Sequence, residues 1–221
     1  MGKSRRFLKL AAGAFLVLVA AVLLYGAKGY FDALGDSKDL GARADRLIAQ
    51  NRGARGLGAG RIDQLLKVED PGFRRHQGVD VTTPGAGMTT ITQSLAKRLA
   101  FDHFRPGIRK IRQTGYAIGL EQRLSKRQIL ALFLDTIPMG RGKKGWMTGF
   151  YVASLEIYGR PAADLDERQF FTLVAVMIAP RKFDLHRQDA ALDERVSRIQ
   201  RLVAGKCRPQ GEGDVWLDGC A

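Results

Sequence analysis

The stretch Val68-Glu-Asp-Pro-Gly-Phe-Arg-Arg-His-Gln-Gly-Val-Asp80 decides how this sequence is read. It sets an acidic pair, Glu69-Asp70, on a turn marked by Pro71-Gly72, ahead of one aromatic residue and two arginines. Downstream come Gly87-Met-Thr-Thr-Ile-Thr-Gln-Ser-Leu-Ala-Lys97 and the basic run Arg105-Pro-Gly-Ile-Arg-Lys-Ile-Arg-Gln113. A carboxylate facing a polar, cationic wall suits a reaction in which a base takes a proton while an anionic group departs. Alone, the acidic pair also fits an exposed turn with ordinary surface charge. The three segments together give it weight.

From Met88 onward the pattern is helical almost throughout, and the chain reads as mainly α. Ile91, Leu95 and Leu99 recur at helical spacing and mark a core face, with Thr90, Gln93 and Lys97 opposite. Arg109, Arg112, Gln113 and Tyr116 share a face of the next helix. Ser125 is an N-cap candidate for a helix whose buried side is Ile129-Leu-Ala-Leu-Phe-Leu134. Pro138 and Gly140 end it, and Arg141-Gly-Lys-Lys-Gly145 reads as a basic loop. Further helices are expected near 146–158, 167–179 and 189–204. No run alternates strictly with period two.

Toward the N-terminus, Asn51 to Gly60 is Gly-rich. It lacks the Lys-Ser/Thr ending of a phosphate loop and reads as a flexible linker. Phe31 to Gln50 reads as a stalk, weakly helical only over 40–48. Lys3, Arg5, Arg6 and Lys9 precede an uncharged run from Leu10 to Ala27. As a helix that run is about 27 Å long, close to a bilayer core of about 30 Å. A cleavable signal would have a shorter apolar region and a cleaner small-residue site, so an uncleaved anchor is expected. The flanking cations place residues 1–9 in the cytoplasm and everything after Lys28 outside. The expected order is a basic N-terminus (1–9), a transmembrane helix (10–27), stalk and linker (28–60), a helical domain (61–204) and a C-terminal tail (205–221).

The net charge of +14 calls for an anionic partner, whether nucleic acid, anionic lipid or a phosphate-bearing substrate. No nucleic-acid-binding signature accompanies it, so nucleic acid is not expected. Cys207 and Cys220 bracket a Gly-rich tail and read as a disulfide of an oxidising compartment.

The sequence resembles the family 51 glycosyltransferases, the peptidoglycan transglycosylases that stand alone or form the front half of bifunctional penicillin-binding proteins. The resemblance runs from about Leu65 to about Leu202 and rests on five segments in the family's order. These are Glu69-Asp70-x-x-Phe73-x-x-His76-x-Gly78-Val-Asp80, Gly87-x-Thr-Thr-Ile-Thr-Gln93-x-Leu-Ala-Lys97, Arg109-Lys110, Ser125-Lys126 through Leu134, and Tyr158-Gly159 with Ala179-Pro180. It implies a lysozyme-like helical glycosyltransferase domain that polymerises lipid II into glycan strands at the outer face of the bacterial inner membrane, with the catalytic domain periplasmic. Glu69 would be the base that deprotonates the acceptor 4-hydroxyl, and the lipid diphosphate would leave with inversion. Lys97, Arg105 and Arg112 would hold the diphosphate, aided in some members by a divalent metal, magnesium or manganese; no other cofactor is implied. Asp70, Phe73, Thr90, Gln93, Arg109, Lys110 and Gln113 complete the expected substrate-binding set. Penicillin-binding transpeptidases are candidate partners.

The sequence also departs from the family pattern. Gln113 stands where a second glutamate is usual, and Val81 to Ala86 is short by about one helix. Met88 replaces a glycine, Ser94 a glutamine and Asp135 an asparagine. Glu121, two turns past Gln113, reads as structural. The leading expectation is a monofunctional, membrane-anchored glycosyltransferase. A degenerate member that binds lipid II or glycan as a scaffold is the alternative, and a lysozyme-like glycan-cleaving enzyme the third.

Overall fold

The structure is a computed structural model that describes residues 2–85, 87 and 89–221, with side chains from Arg6 onward. The side chains of Lys3 and Arg5, and Met88 with its expected place at a family glycine, lie outside the described residues.

The first helix, α1 (Gly2–Ala49), is continuous over 48 residues, so no separate stalk exists. Its first half is long and apolar enough to cross a membrane: its most apolar window has a mean hydropathy of 2.5 and is 0% buried. Its second half lies on the domain through Gly29, Ala33, Gly41, Ala44 and Leu47, all buried. Those positions keep helical spacing but are mostly Gly and Ala, which leaves the buried face without a signal in an apolar pattern.

Small residues are required there because α1 meets α4 (Arg109–Arg123) backbone to backbone. A Cβ on Gly115 would collide with the Gly26 carbonyl oxygen, and one on Gly29 with that of Arg112. Polar ties flank the seam. Asp32 accepts from Arg112 Nη2 (2.8 Å), and Asp36 accepts from the Tyr116 hydroxyl (2.6 Å). Further along, Asp135 pairs with Arg43 (2.6 Å) and Arg52 (2.7 Å), which gives the departure from asparagine a local reason.

The expected flexible linker is instead folded. Ala54–Leu57 forms a 3-10 turn with Gly56 and Leu57 buried, and the Tyr151 hydroxyl donates to the Gly53 carbonyl (2.5 Å). Beyond it lie α2 (Arg61–Glu69), α3 (Ile91–Leu99) and α5 (Lys126–Thr136). Ser125 opens α5 with a complete capping box. Residues 138–148, expected as a basic loop and the start of a helix, form a two-stranded hairpin of β1 (Pro138–Gly142) and β2 (Gly145–Thr148), with Arg141 opposite Trp146. The turn is too short for a period-two signal to register. Next come α6 (Phe150–Tyr158), α7 (Glu167–Val176) and α8 (Ala190–Val203). α5 and α7 bury apolar residues on most of their surface, with Phe133, Phe150, Phe170 and Phe171 at the centre.

The tail is ordered by a Cys207–Cys220 disulfide with Cα atoms 5.3 Å apart. Asp214 organises its turn, accepting from the backbone of Gln210, Asp218 and Gly219.

Substituting Gly115→Val should cost about 1–3 kcal/mol by overpacking the α1–α4 seam. Gly35→Ala on the same long helix should be neutral or stabilising by up to ~1 kcal/mol, since nothing lies within 4 Å of its Cβ position. Denaturant unfolding in detergent compares them, and equal effects from both would rule out the backbone seam.

Candidate active site

Glu69 is the last residue of α2, and Asp70 caps that helix. The two neighbours diverge. Asp70 is fully buried; its carboxylate accepts from the Ile91 backbone N–H (2.8 Å), the first of α3, and meets His76 Nε2 (3.0 Å). Gly78 N donates to His76 Nδ1 (3.1 Å), so the proton sits on Nε2 and is donated to Asp70. Asp70 therefore faces the interior rather than a substrate, contrary to expectation. Phe73, expected at the substrate, is 2% exposed and packs under the Lys126 ammonium at 4.6 Å.

Glu69 points the other way, into a cleft of about 300 Å³ that it shares with Thr89, Thr90, Ser94, Lys97, Phe133 and Arg195. Burial pushes its carboxyl up to about 7, opposed by the Arg195 guanidinium and assisted by the Asp70 charge. Lys97 lines the same cleft. Burial, then the neighbouring Arg98, holds Lys97 below the usual lysine range. Lys110 is lowered too, by burial and by Lys97, and donates to Thr89 Oγ1 (3.0 Å). The pressure of Lys97 on Lys110 would be relieved by an anion beside them.

Thr90 is the α3 N-cap; its hydroxyl donates to the Gly78 carbonyl (2.8 Å) and accepts from Gln93 N (3.1 Å). Gln93, expected in the substrate-binding set, is 3% exposed and bonded to Thr114. The α3–α4 packing covers it. Gln113 is 1% exposed and donates from Nε2 to the Gln93 carbonyl (2.6 Å). Arg109 donates to the His103 carbonyl, and Arg105 is exposed on the loop before α4. Arg112, expected at the diphosphate, is drawn to Asp32 of α1 and stacks on Phe101 at 5.0 Å. Glu121 accepts from Thr92 (2.5 Å) and Lys126 (2.8 Å), in keeping with a structural role.

Among the described residues, no three His, Cys, Asp or Glu side chains converge. With Asp70 turned inward, these residues do not by themselves form a site for a divalent ion.

Two parts of the cleft escaped the sequence reading. Arg195 of α8 is 3% exposed, and its Nε and Nη1 have no hydrogen-bond partner among the described residues. It lies on the apolar face marked by Leu192, Val196 and Ile199, and a lone arginine on such a face was the available signal. The tail is the second part. Gly85 N donates to the Gly211 carbonyl (2.9 Å) and Gly87 N to that of Glu212 (2.8 Å), while Val215 lines the cleft. Gly87 has φ +63° and a Cβ there would meet Val215 at 2.6 Å, so glycine is required.

A family model described as "Transglycosylase" matches residues 56–204. The chain belongs to the transglycosylase family. It is 33% identical over 156 residues to a biosynthetic peptidoglycan transglycosylase of Nitrosomonas eutropha, covering 64% of this chain and 62% of that protein. It is 32% identical over 162 residues to one from Laribacter hongkongensis, covering 65% and 69%. With penicillin-binding protein 1B of Escherichia coli it shares 28% identity over 155 residues, 64% of this chain and 18% of that protein. The chain thus spans less than two thirds of the length of some of these curated relatives. The helical, lysozyme-like architecture expected of this transglycosylase domain is the one the chain adopts.

The Glu69 titration tests this geometry directly. Followed by carboxyl-labelled NMR or infrared difference spectroscopy, it should centre near pH 7. Arg195→Gln removes the opposing charge and should move the midpoint higher, while Arg195→Lys should largely hold it. An ordinary midpoint near 4.5 in the wild type would mean the carboxyl is solvated.

Proposed function

We propose that this protein is a membrane-anchored peptidoglycan glycosyltransferase that polymerises lipid II. The observation that carries the reading is Glu69, the one carboxylate among the described residues that line the cleft, which Lys97 lines too, with its carboxyl raised by burial. Family membership supplies the reaction class. Glu69 takes the proton of the acceptor 4-hydroxyl; that oxygen forms a bond to the donor anomeric carbon from the face opposite the leaving group. The bond from that carbon to the diphosphate oxygen breaks, its electron pair leaves with the lipid diphosphate, and the configuration inverts. Lys97 and Lys110 balance the charge gathering on the diphosphate. Arg105 and Arg109 stand on the loop and helix start beside them and would meet the same anion. The cationic flank before Leu10 supports a cytoplasmic N-terminus and a cleft on the outer, periplasmic side of the inner membrane.

A second reading, a lipid II-binding scaffold, is favoured by one observation. Gln113, at the family's second glutamate position, is turned inward and uncharged.

Incubating full-length protein with labelled lipid II in detergent separates the two. Polymer should form, with kcat/KM rising as pH increases through about 7 because the base must be deprotonated. Glu69→Gln should lower turnover roughly 10²- to 10⁴-fold while binding persists. Wild-type turnover in that variant would show that Glu69 is not the base; binding without polymer in the wild type would leave the scaffold.

A further inference from the structure

The cleft does not end at Glu69. Arg195 lines both it and a narrower cavity of about 180 Å³ walled by Trp216. Lys182 and Phe183 line that cavity and also a groove of about 810 Å³ between the β1–β2 hairpin and residues 180–187. Shared side chains make the three spaces neighbours, in the order cleft, cavity and groove. A 300 Å³ cleft is at the lower limit for one drug-sized ligand, so a sugar donor and acceptor carrying peptides must extend beyond it.

The groove is strongly basic. Arg141, Lys143, Arg181, Lys182 and Arg187 line it, against one acid, Asp184. Asp184 is occupied by the His186 N–H (2.8 Å) and lies 4.0 Å from Arg187. Lys182 lies over Trp216 at 5.1 Å, with Asp189 in electrostatic reach. Arg141, Lys143 and Arg181 have no ion pair among the described residues, and Trp146 offers a half-exposed ring to the same space. Unpaired guanidinium groups are shaped for carboxylates or phosphates.

A membrane headgroup is the less suitable anion. The hairpin follows α5, whose Asp135 is tied to Arg43. From Ala27 to Arg43 the helix rises about 24 Å, which carries the groove away from the apolar span. Resting on the proposed function, we propose that this groove is an extension of the substrate site that takes the carboxylate-bearing peptide carried by the glycan, with Arg141 and Arg181 as its anion ligands.

The test uses full-length Glu69→Gln protein in detergent and a fluorescent disaccharide-pentapeptide that has no lipid and no diphosphate. Its partner probe has the peptide carboxylates converted to amides. At low salt the carboxylate probe should bind more tightly than the amide. Arg141→Glu with Arg181→Glu should weaken the carboxylate probe roughly fivefold or more and the amide probe less than twofold, with the difference shrinking at high salt. Equal affinity for the two probes, or equal loss of both in the charge-reversed protein, overturns the proposal. Neither probe is polymerised, so absence of polymer from lipid II with probe selectivity intact would count against the transferase reading alone. A charge-reversed protein that binds both probes normally but loses affinity for phosphatidylglycerol vesicles would assign the groove to lipid.

Discussion

The buried carboxylate of Asp70 holds the site in shape. It joins the end of α2 to the first N–H of α3 and to His76, so two helix termini and the turn between them share one anion. A carboxylate at a helix N-terminus also gains from the helix dipole, and the partners together offset the cost of burying it. Because Asp70 takes the inward direction, the adjacent Glu69 is left facing the cleft from the last turn of a rigid helix. The acidic pair is thus two residues facing opposite ways, one into the packed interior and one into the cleft.

The same division recurs on α4. Its outer face belongs to the anchor helix, where glycines bring two backbones together and Arg112 and Tyr116 reach Asp32 and Asp36. Its inner face turns Gln113 toward α3, and its first turn presents Lys110 beside Thr89. Since the apolar half and the docked half of α1 are one helix, the direction in which the apolar half leaves the domain is fixed by packing rather than by a tether. On the proposed function, a hinge would leave a lipid-linked substrate and the cleft at variable heights; one continuous helix does not.

How legible this was depends on which residues carried the structure. Large apolar residues at helical spacing made α3, α5 and α8 readable, and Ser125 announced its helix by its capping box. The docked half of α1 was missed because its buried face is Gly and Ala, and the folded Gly53–Leu57 segment because its glycines serve close packing rather than freedom. At the site, residue types pointed to the chemistry but not to directions. Arg112 is a cation in the expected segment, yet an aspartate 80 positions earlier takes it away. Arg195 and Val215 lie far from the recognisable segments, and only tertiary packing brings them to Glu69.

A raised carboxyl pKa carries a cost that the rest of the fold must meet. The folded-state value of Glu69 lies above its unfolded one, so its contribution to stability is intact below about pH 4.5. It is lost as pH rises toward 7, a penalty of a few kcal/mol for a group largely removed from water. The tail supplies an offset in the right place. Its disulfide restrains the unfolded chain, typically worth ~2–4 kcal/mol, and its backbone closes on Gly85 and Gly87 beside the cleft. The same tail walls the cleft through Val215, and so adds to the burial that raises Glu69. Val81 to Gly85 is not helical, and the disulfide-closed tail packs against it through Gly211 and Pro209. One element both strains the carboxyl toward a useful pKa and steadies the chain against the strain.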